Sequence, residues 1–239
     1  DPATNTSSVI GTLPTGYGGA ILAPNGIIYA IPYAATVPVA RLDPVTKAVS
    51  TFGPTTGGWT GAMLAPNGKI YATPHSNGIT VPFLEIDPAT DGAVTMGPSA
   101  AGNGWFSGGL APDGRFYGSP VGNHGSFVLD PVAGSVNIFG AALGLNALEG
   151  NVAAPSGMVY GTPRSVSVVE LNYSGPMQTS TGFLPGGGYT SGTLTEDGRI
   201  FMIPRIANLP FSCRMSRCPI RNPAWCCGSH PAPRRCRPA

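Results

Sequence analysis

The side chains in this sequence that could carry out chemistry are few and widely spaced. His75 and His124 lie in corresponding segments of two neighbouring sequence units, and Glu149 opens the next. An imidazole and a carboxylate can exchange a proton, and two imidazoles with a carboxylate can share a divalent cation. A second set is aromatic. Tyr17, Trp59, Trp105 and Tyr189 each stand nine residues before a recurring glycine, and Leu148 holds the same place in the remaining unit. Ring faces arranged around one rim suit the C–H surface of a carbohydrate or an apolar ligand, whereas the same rings wedged between units would be core. Tyr33, Arg164 and Arg205 each directly follow a recurring proline, as His75 does, and complete the candidate binding set.

These residues are positioned by a repeat. Leu64-Ala65-Pro66-Asn67-Gly68-Lys69-Ile70-Tyr71 is written again, with variations, at 22–29, 110–117, 153–160 and 194–201. The anchoring glycines Gly26, Gly68, Gly114, Gly157 and Gly198 are 42, 46, 43 and 41 residues apart, a period that fits a unit of about four short strands. Pro-Asn-Gly predicts a three-residue hairpin closed by a left-handed glycine. The prolines six residues after each glycine, Pro32, Pro74, Pro120, Pro163 and Pro204, end the return strand. A third strand ends in Asp43-Pro44, Asp87-Pro88 or Asp130-Pro131, whose carboxylates are placed to cap the turn into a fourth strand.

Four antiparallel strands per unit, with neighbours sharing a core, predict an all-β propeller. The expected blades are 17–57, 59–101, 105–145 and 148–187, with a fifth split between 189–205 and 1–14. A fragment of a larger ring is the competing architecture. Residues 207–239 hold all five cysteines and six arginines without periodicity. They read as an irregular tail, resembling translation in another frame, and the start at Asp1-Pro2 reads as a processed, excised or incomplete product.

Composition narrows the function. Charged residues are 10% of the chain, against about 25% in an ordinary domain. Residues 1–205 carry seven basic and eleven acidic side chains, so the positive net charge belongs to the tail. No basic stripe predicts nucleic-acid binding, no glycine-rich loop opens a helix around a nucleotide, and no apolar run reaches a membrane span. The cysteines contain no Cys-x-x-Cys pair, so zinc is poorly supported, and no cofactor is expected. A monomer is expected, with an extracellular or periplasmic setting favoured.

The unit aromatic-x-Gly-x-x-Leu-Ala-Pro-Asn-Gly-Lys-Ile-Tyr, followed by Ile-Asp-Pro-Ala-Thr, resembles the repeat propellers of the YVTN type and, more loosely, kelch-like and SMP-30-like propellers. The resemblance covers residues 1 to about 205. It implies a propeller fold, and it allows surface proteins, lactonases, lyases and binding scaffolds alike. The favoured reading is a non-enzymatic scaffold that takes a carbohydrate or a protein on its variable face. That face is the one bearing the loops after the recurring prolines. The alternative is a lactonase-like hydrolase or lyase using His75, His124 and Glu149, with or without a divalent cation. A third reading is an incomplete gene product without independent function.

Overall fold

The computed structural model describes residues 3, 5, 6, 9, 11–75, 79–102, 104–142, 148–164, 168–172, 177–181, 188–196, 199–204 and 211–214. Every regular element among them is a strand. The first sheet is β1 (Tyr17–Leu22), β2 (Ile28–Pro32), β3 (Val39–Leu42) and β4 (Val49–Phe52), hydrogen-bonded in chain order. The second is β5 (Trp59–Leu64), β6 (Ile70–Pro74), β7 (Thr80–Asp87) and β8 (Gly92–Ala101). The third is β9 (Gly109–Leu110), β10 (Phe116–Gly118), β11 (Ser126–Asp130) and β12 (Ser135–Phe139). The fourth is β13 (Leu148–Ala154), β14 (Met158–Pro163), β15 (Val168–Asn172) and β16 (Met177–Thr181). The fifth has, among the described residues, three strands, β17 (Tyr189–Leu194), β18 (Arg199–Pro204) and β19 (Phe211–Arg214). All strand pairs are antiparallel. The first four sheets are the four-stranded blades that the repeat predicts. β19 comes from beyond the expected propeller boundary at 206, and residues 215–239 lie outside the described residues.

The hairpins form as their residues require. In the second blade the Ala65 N–H donates to Lys69 C=O at 2.9 Å and the Gly68 N–H to Ala65 C=O at 2.9 Å, with Gly68 at φ +82°. The first and third blades repeat this at Ala23 to Ile27 and Ala111 to Arg115. The Asp-Pro turns are capped as expected. Asp43 Oδ1 accepts the N–H groups of Val45 and Thr46, and Asp130 Oδ1 those of Val132 and Ala133.

Each interior sheet spends both faces on its neighbours. Two residues after the hairpin glycine, Ile70, Phe116, Val159 and Ile200 pack into the cluster shared with the preceding sheet. One residue later, Tyr29, Tyr71, Tyr117 and Tyr160 pack into the cluster shared with the following sheet. The alternation follows from the two-residue period of a strand. Tyr29, Tyr71 and Tyr117 are fully buried, so their rings fill the space between sheets and only their hydroxyls seek polar partners.

Those hydroxyls meet the asparagine of the Pro-Asn-Gly turn. Asn25 Nδ2 donates to the Tyr29 hydroxyl at 3.0 Å and, across the interface, to Pro88 C=O at 3.0 Å. Asn67 Nδ2 does the same with the Tyr71 hydroxyl (3.3 Å) and Pro131 C=O (3.1 Å). The turn asparagine therefore locks its own hairpin, through Oδ1 accepting the N–H two residues on, and also bolts one blade to the Asp-Pro turn of the next. In the third blade Asp113 replaces it and accepts from the Tyr117 hydroxyl at 2.9 Å.

Replacing Asn67 with Ala removes both roles and should lower unfolding free energy by about 1–3 kcal/mol in urea denaturation; an unchanged midpoint would show that the latch is idle. Tyr29, Tyr71 and Tyr117 have pKa values raised first by burial, that of Tyr117 to about 12. A phenol whose folded value lies above its unfolded one contributes stability below pH 10.0 that disappears as pH rises toward its folded value. Tyrosinate absorbance should therefore lag that of free tyrosine and then rise together with unfolding.

Candidate functional site

The start of each inner strand and the end of its partner form one rim, since Tyr17 pairs with Pro32, Trp59 with Pro74, Leu148 with Pro163 and Tyr189 with Pro204. Within this repeated frame two positions change chemistry from blade to blade. The residue after the recurring proline is Tyr33, His75, Val121, Arg164 or Arg205, and the residue eight before the hairpin glycine is Gly18, Thr60, Phe106, Glu149 or Thr190. Backbone bonds hold the first two blades of the rim in order: Gly58 N–H donates to Tyr33 C=O (2.9 Å) and His75 N–H to Gly58 C=O (2.8 Å). Gly57 permits this approach, because at φ +61° a side chain there would run into the Ala34 carbonyl.

His75 is the central residue. It is 6% exposed, stacked on Phe106 with ring centroids 4.1 Å apart, and flanked by Tyr33 at 6.2 Å. Three consecutive blades supply these three rings. Both ring nitrogens of His75 are buried without a hydrogen-bond partner among the described residues. Burial pushes its pKa down; the approach of its own backbone, which falls short of a hydrogen bond, offsets part of this, and the positive charge of Arg164 lowers it further, so the imidazole is neutral at neutral pH. Leaving buried polar atoms unpaired costs about 1–3 kcal/mol each. Phe106 is held in place by its own backbone, whose carbonyl accepts from Thr60 Oγ1 at 3.3 Å, while Thr60 and Thr73 both donate to Trp105 C=O.

Arg164 and Glu149, in the fourth blade, form an ion pair at 3.1 Å in which the Glu149 side chain is 9% exposed and that of Arg164 29%. Asn151 fixes the approach from the third blade, accepting from Ser119 N–H and Oγ and donating to Ser107 C=O at 2.9 Å. The site therefore offers a neutral imidazole, two half-buried aromatic rings and a paired charge, all on one rim.

The expected ring of aromatic faces is not there. Trp59, Trp105 and Tyr189 are 0%, 2% and 3% exposed and belong to the clusters between sheets. Their polar atoms confirm the core role for the tryptophans: Trp59 Nε1–H donates to Pro82 C=O at 2.7 Å and Trp105 Nε1–H to Gly125 C=O at 3.0 Å. Only Tyr17 keeps a half-buried position, with its hydroxyl buried and unpartnered among the described residues. His124 packs against the Trp105 ring at 5.2 Å. No group of three or more His, Cys, Asp or Glu side chains among the described residues is placed to hold a metal ion, so His75, His124 and Glu149 do not form one coordination set. Arg205 lies outside the described residues. Phe106 was missed because it sits beside a tryptophan that carries the repeat, although its departure from Gly18 and Thr60 at the same position was readable.

No helix among the described residues is long and apolar enough to cross a membrane. Neither a family model nor a curated protein sequence matches the chain. Among solved structures it is similar to virginiamycin B lyase from Staphylococcus aureus, at 11% identity and a TM-score of 0.69 over 84% of this chain and 68% of the lyase. It is also similar to an auxiliary nutrient binding protein from Bacteroides ovatus, at 13% identity and a TM-score of 0.56 over 83% of this chain and 55% of that one. The extracellular domain of a one component system from B. thetaiotaomicron matches at 10% identity and a TM-score of 0.62, over 84% of this chain and 28% of that one. At such identities the likeness is one of fold, and with the sheet order above it makes this chain a β-propeller of four-stranded antiparallel blades.

Proposed function

We propose that this propeller is a non-enzymatic binding scaffold that takes a carbohydrate on the rim bearing Tyr33, His75, Phe106 and the Arg164–Glu149 pair. The observation that carries the reading is His75, buried, neutral and without a partner for either ring nitrogen. A neutral imidazole offers one donor and one acceptor, which suits sugar hydroxyls, and the neighbouring aromatic rings suit the C–H faces beside them. The nutrient-binding protein among the similar structures supports this class of function. Placement within the YVTN- or kelch-like propellers belongs to the same proposal and rests on the repeated Leu-Ala-Pro-Asn-Gly-Lys-Ile-Tyr unit.

A second reading has one observation in its favour. A neutral imidazole is also a competent proton acceptor, and a lyase is among the similar structures. In that case His75 would be the base, with Glu149 oriented by Arg164.

Isothermal titration against a panel of neutral and acidic oligosaccharides separates the two. The scaffold reading expects saturable binding with the sugar recovered intact, and His75→Phe, which keeps the stack on Phe106 but removes both nitrogens, should weaken it about tenfold or more. Recovery of a cleaved sugar would favour the lyase or hydrolase reading, and binding unchanged by His75→Phe would remove His75 from the site. The pH dependence has a definite sign. Because the folded-state pKa of His75 lies below 6.5, affinity should hold from neutral pH down through that value and fall only at lower pH, when the acceptor nitrogen is protonated.

A further inference from the structure

The asparagines of the two Pro-Asn-Gly latches combine exposure, a glycine neighbour and a role between blades. Asn25 and Asn67 are both exposed, and each precedes a glycine. A Cβ placed at Gly26 or Gly68 would meet nothing within 4 Å, so the peptide between the two residues is uncrowded on that side. Asn5, Asn123, Asn137, Asn151 and Asn172 instead precede Thr, His, Ile, Val and Tyr, whose side chains crowd the corresponding nitrogen. Asn77 and Asn103 also precede glycine and lie outside the described residues.

An asparagine before glycine is the setting for backbone-assisted deamidation. With its proton lost to solvent, the Gly68 nitrogen attacks Cγ of Asn67. The N–Cγ bond forms, the Cγ–Nδ2 bond breaks, and Nδ2 takes up a proton and leaves as ammonia. Water then opens the cyclic imide, at Cγ to give aspartate or at the backbone carbonyl to give isoaspartate; nothing is oxidised or reduced. A closed latch resists the first step. Gly68 N–H is bonded to Ala65 C=O at 2.9 Å, Asn67 Oδ1 accepts Lys69 N–H at 3.0 Å, and Nδ2 is held by the Tyr71 hydroxyl and Pro131 C=O. The reaction therefore runs through local openings of the latch.

The third blade shows what an acidic residue needs at this place. Asp113 still accepts the N–H two residues on, from Arg115 at 3.0 Å, and takes the Tyr117 hydroxyl proton at 2.9 Å. Opposite Tyr117 on the next strand stands Val128, which carries no charge. In the second blade the residue opposite Tyr71 is Glu85. In the first, the Tyr29 hydroxyl already donates to Asp91 Oδ1 at 3.0 Å, and Asp91 of the second blade is paired with Arg41 at 2.7 Å. An aspartate at 67 would lose the bond to Pro131 C=O and set oxygen against oxygen there. An aspartate at 25 would do the same at Pro88 C=O, and would also meet a hydroxyl whose proton is committed to another carboxylate.

We propose that Asn25 and Asn67 are modification sites, at which spontaneous deamidation turns the two latches from attractive to repulsive, the Asn25 latch more strongly. Aspartate keeps the hairpin on the Asp113 pattern and weakens the contact to the next blade. Isoaspartate adds a carbon to the backbone of the turn and breaks the hairpin as well. Water and base come from solvent, so no enzyme is needed.

Peptide mapping by mass spectrometry, on the full chain aged in mildly alkaline buffer, tests the proposal. Aspartate and isoaspartate should accumulate at Asn25 and Asn67 about tenfold or more faster than at Asn5, Asn123, Asn137, Asn151 or Asn172, and faster still in denaturant, where no latch holds the amide. The urea midpoint should fall in Asn25→Asp and in Asn67→Asp, further in the first. Adding Asp91→Asn should recover part of the loss in Asn25→Asp and none of that in Asn67→Asp. An Asn25→Asp chain that folds only together with Asp91→Asn gives the same answer. Equal rates at all these asparagines, an unchanged midpoint in both aspartate variants, or the larger fall in Asn67→Asp would each overturn the proposal.

Discussion

The tyrosine three residues after each hairpin glycine is the constraint on which the rest of the molecule depends. A single four-stranded sheet has two apolar faces and cannot bury either alone. Tyr29, Tyr71, Tyr117 and Tyr160 fill the space to the next sheet. In the first two blades the turn asparagine then ties the hydroxyl to the neighbour's Asp-Pro turn. Packing supplies most of the attachment, and the hydrogen bonds fix register between blades. Stability in such an array is close to a sum over neighbouring interfaces, and a blade at either end carries a face with no neighbour of its own.

That constraint explains what the sequence made legible. The period, the hairpins, the Asp43 and Asp130 caps and the four-stranded blades could all be read because geometry repeats them at fixed offsets. The asparagine of Pro-Asn-Gly was read as a hinge alone, since its second partner, Pro88 C=O or Pro131 C=O, lies more than sixty residues away. The aromatic rim failed for a related reason. Trp59 and Trp105 recur at the same offset, and in this fold recurrence marks what every interface needs, namely a bulky buried ring whose Nε1–H finds a backbone carbonyl.

The site follows the opposite rule. His75, Phe106, Glu149 and Arg164 occupy the two rim positions whose chemistry varies among the blades, while the flanking prolines and buried aromatic or aliphatic residues hold those positions in place. Recurring packing and varying chemistry lie two residues apart: Thr73 and Ser119 are buried one residue before the recurring proline, and His75 and Arg164 stand one residue after it. The sequence offers His75 as a ligand-binding residue and, in the alternative, as a base or metal ligand, and the structure adds stacked aromatic company and a depressed pKa. Nothing in the spacing of His75 announced its burial, because burial depends on Tyr33 and Phe106 arriving from the blades on either side.

The account stands or falls on the state of one imidazole. Nitrogen NMR of a sample labelled at histidine reads the two ring nitrogens of His75 directly. The account predicts a neutral ring at neutral pH, and signals from both nitrogens that move when a bound oligosaccharide saturates the protein. A His75 that is an imidazolium at neutral pH, or whose ring signals stay fixed at saturation, would contradict it.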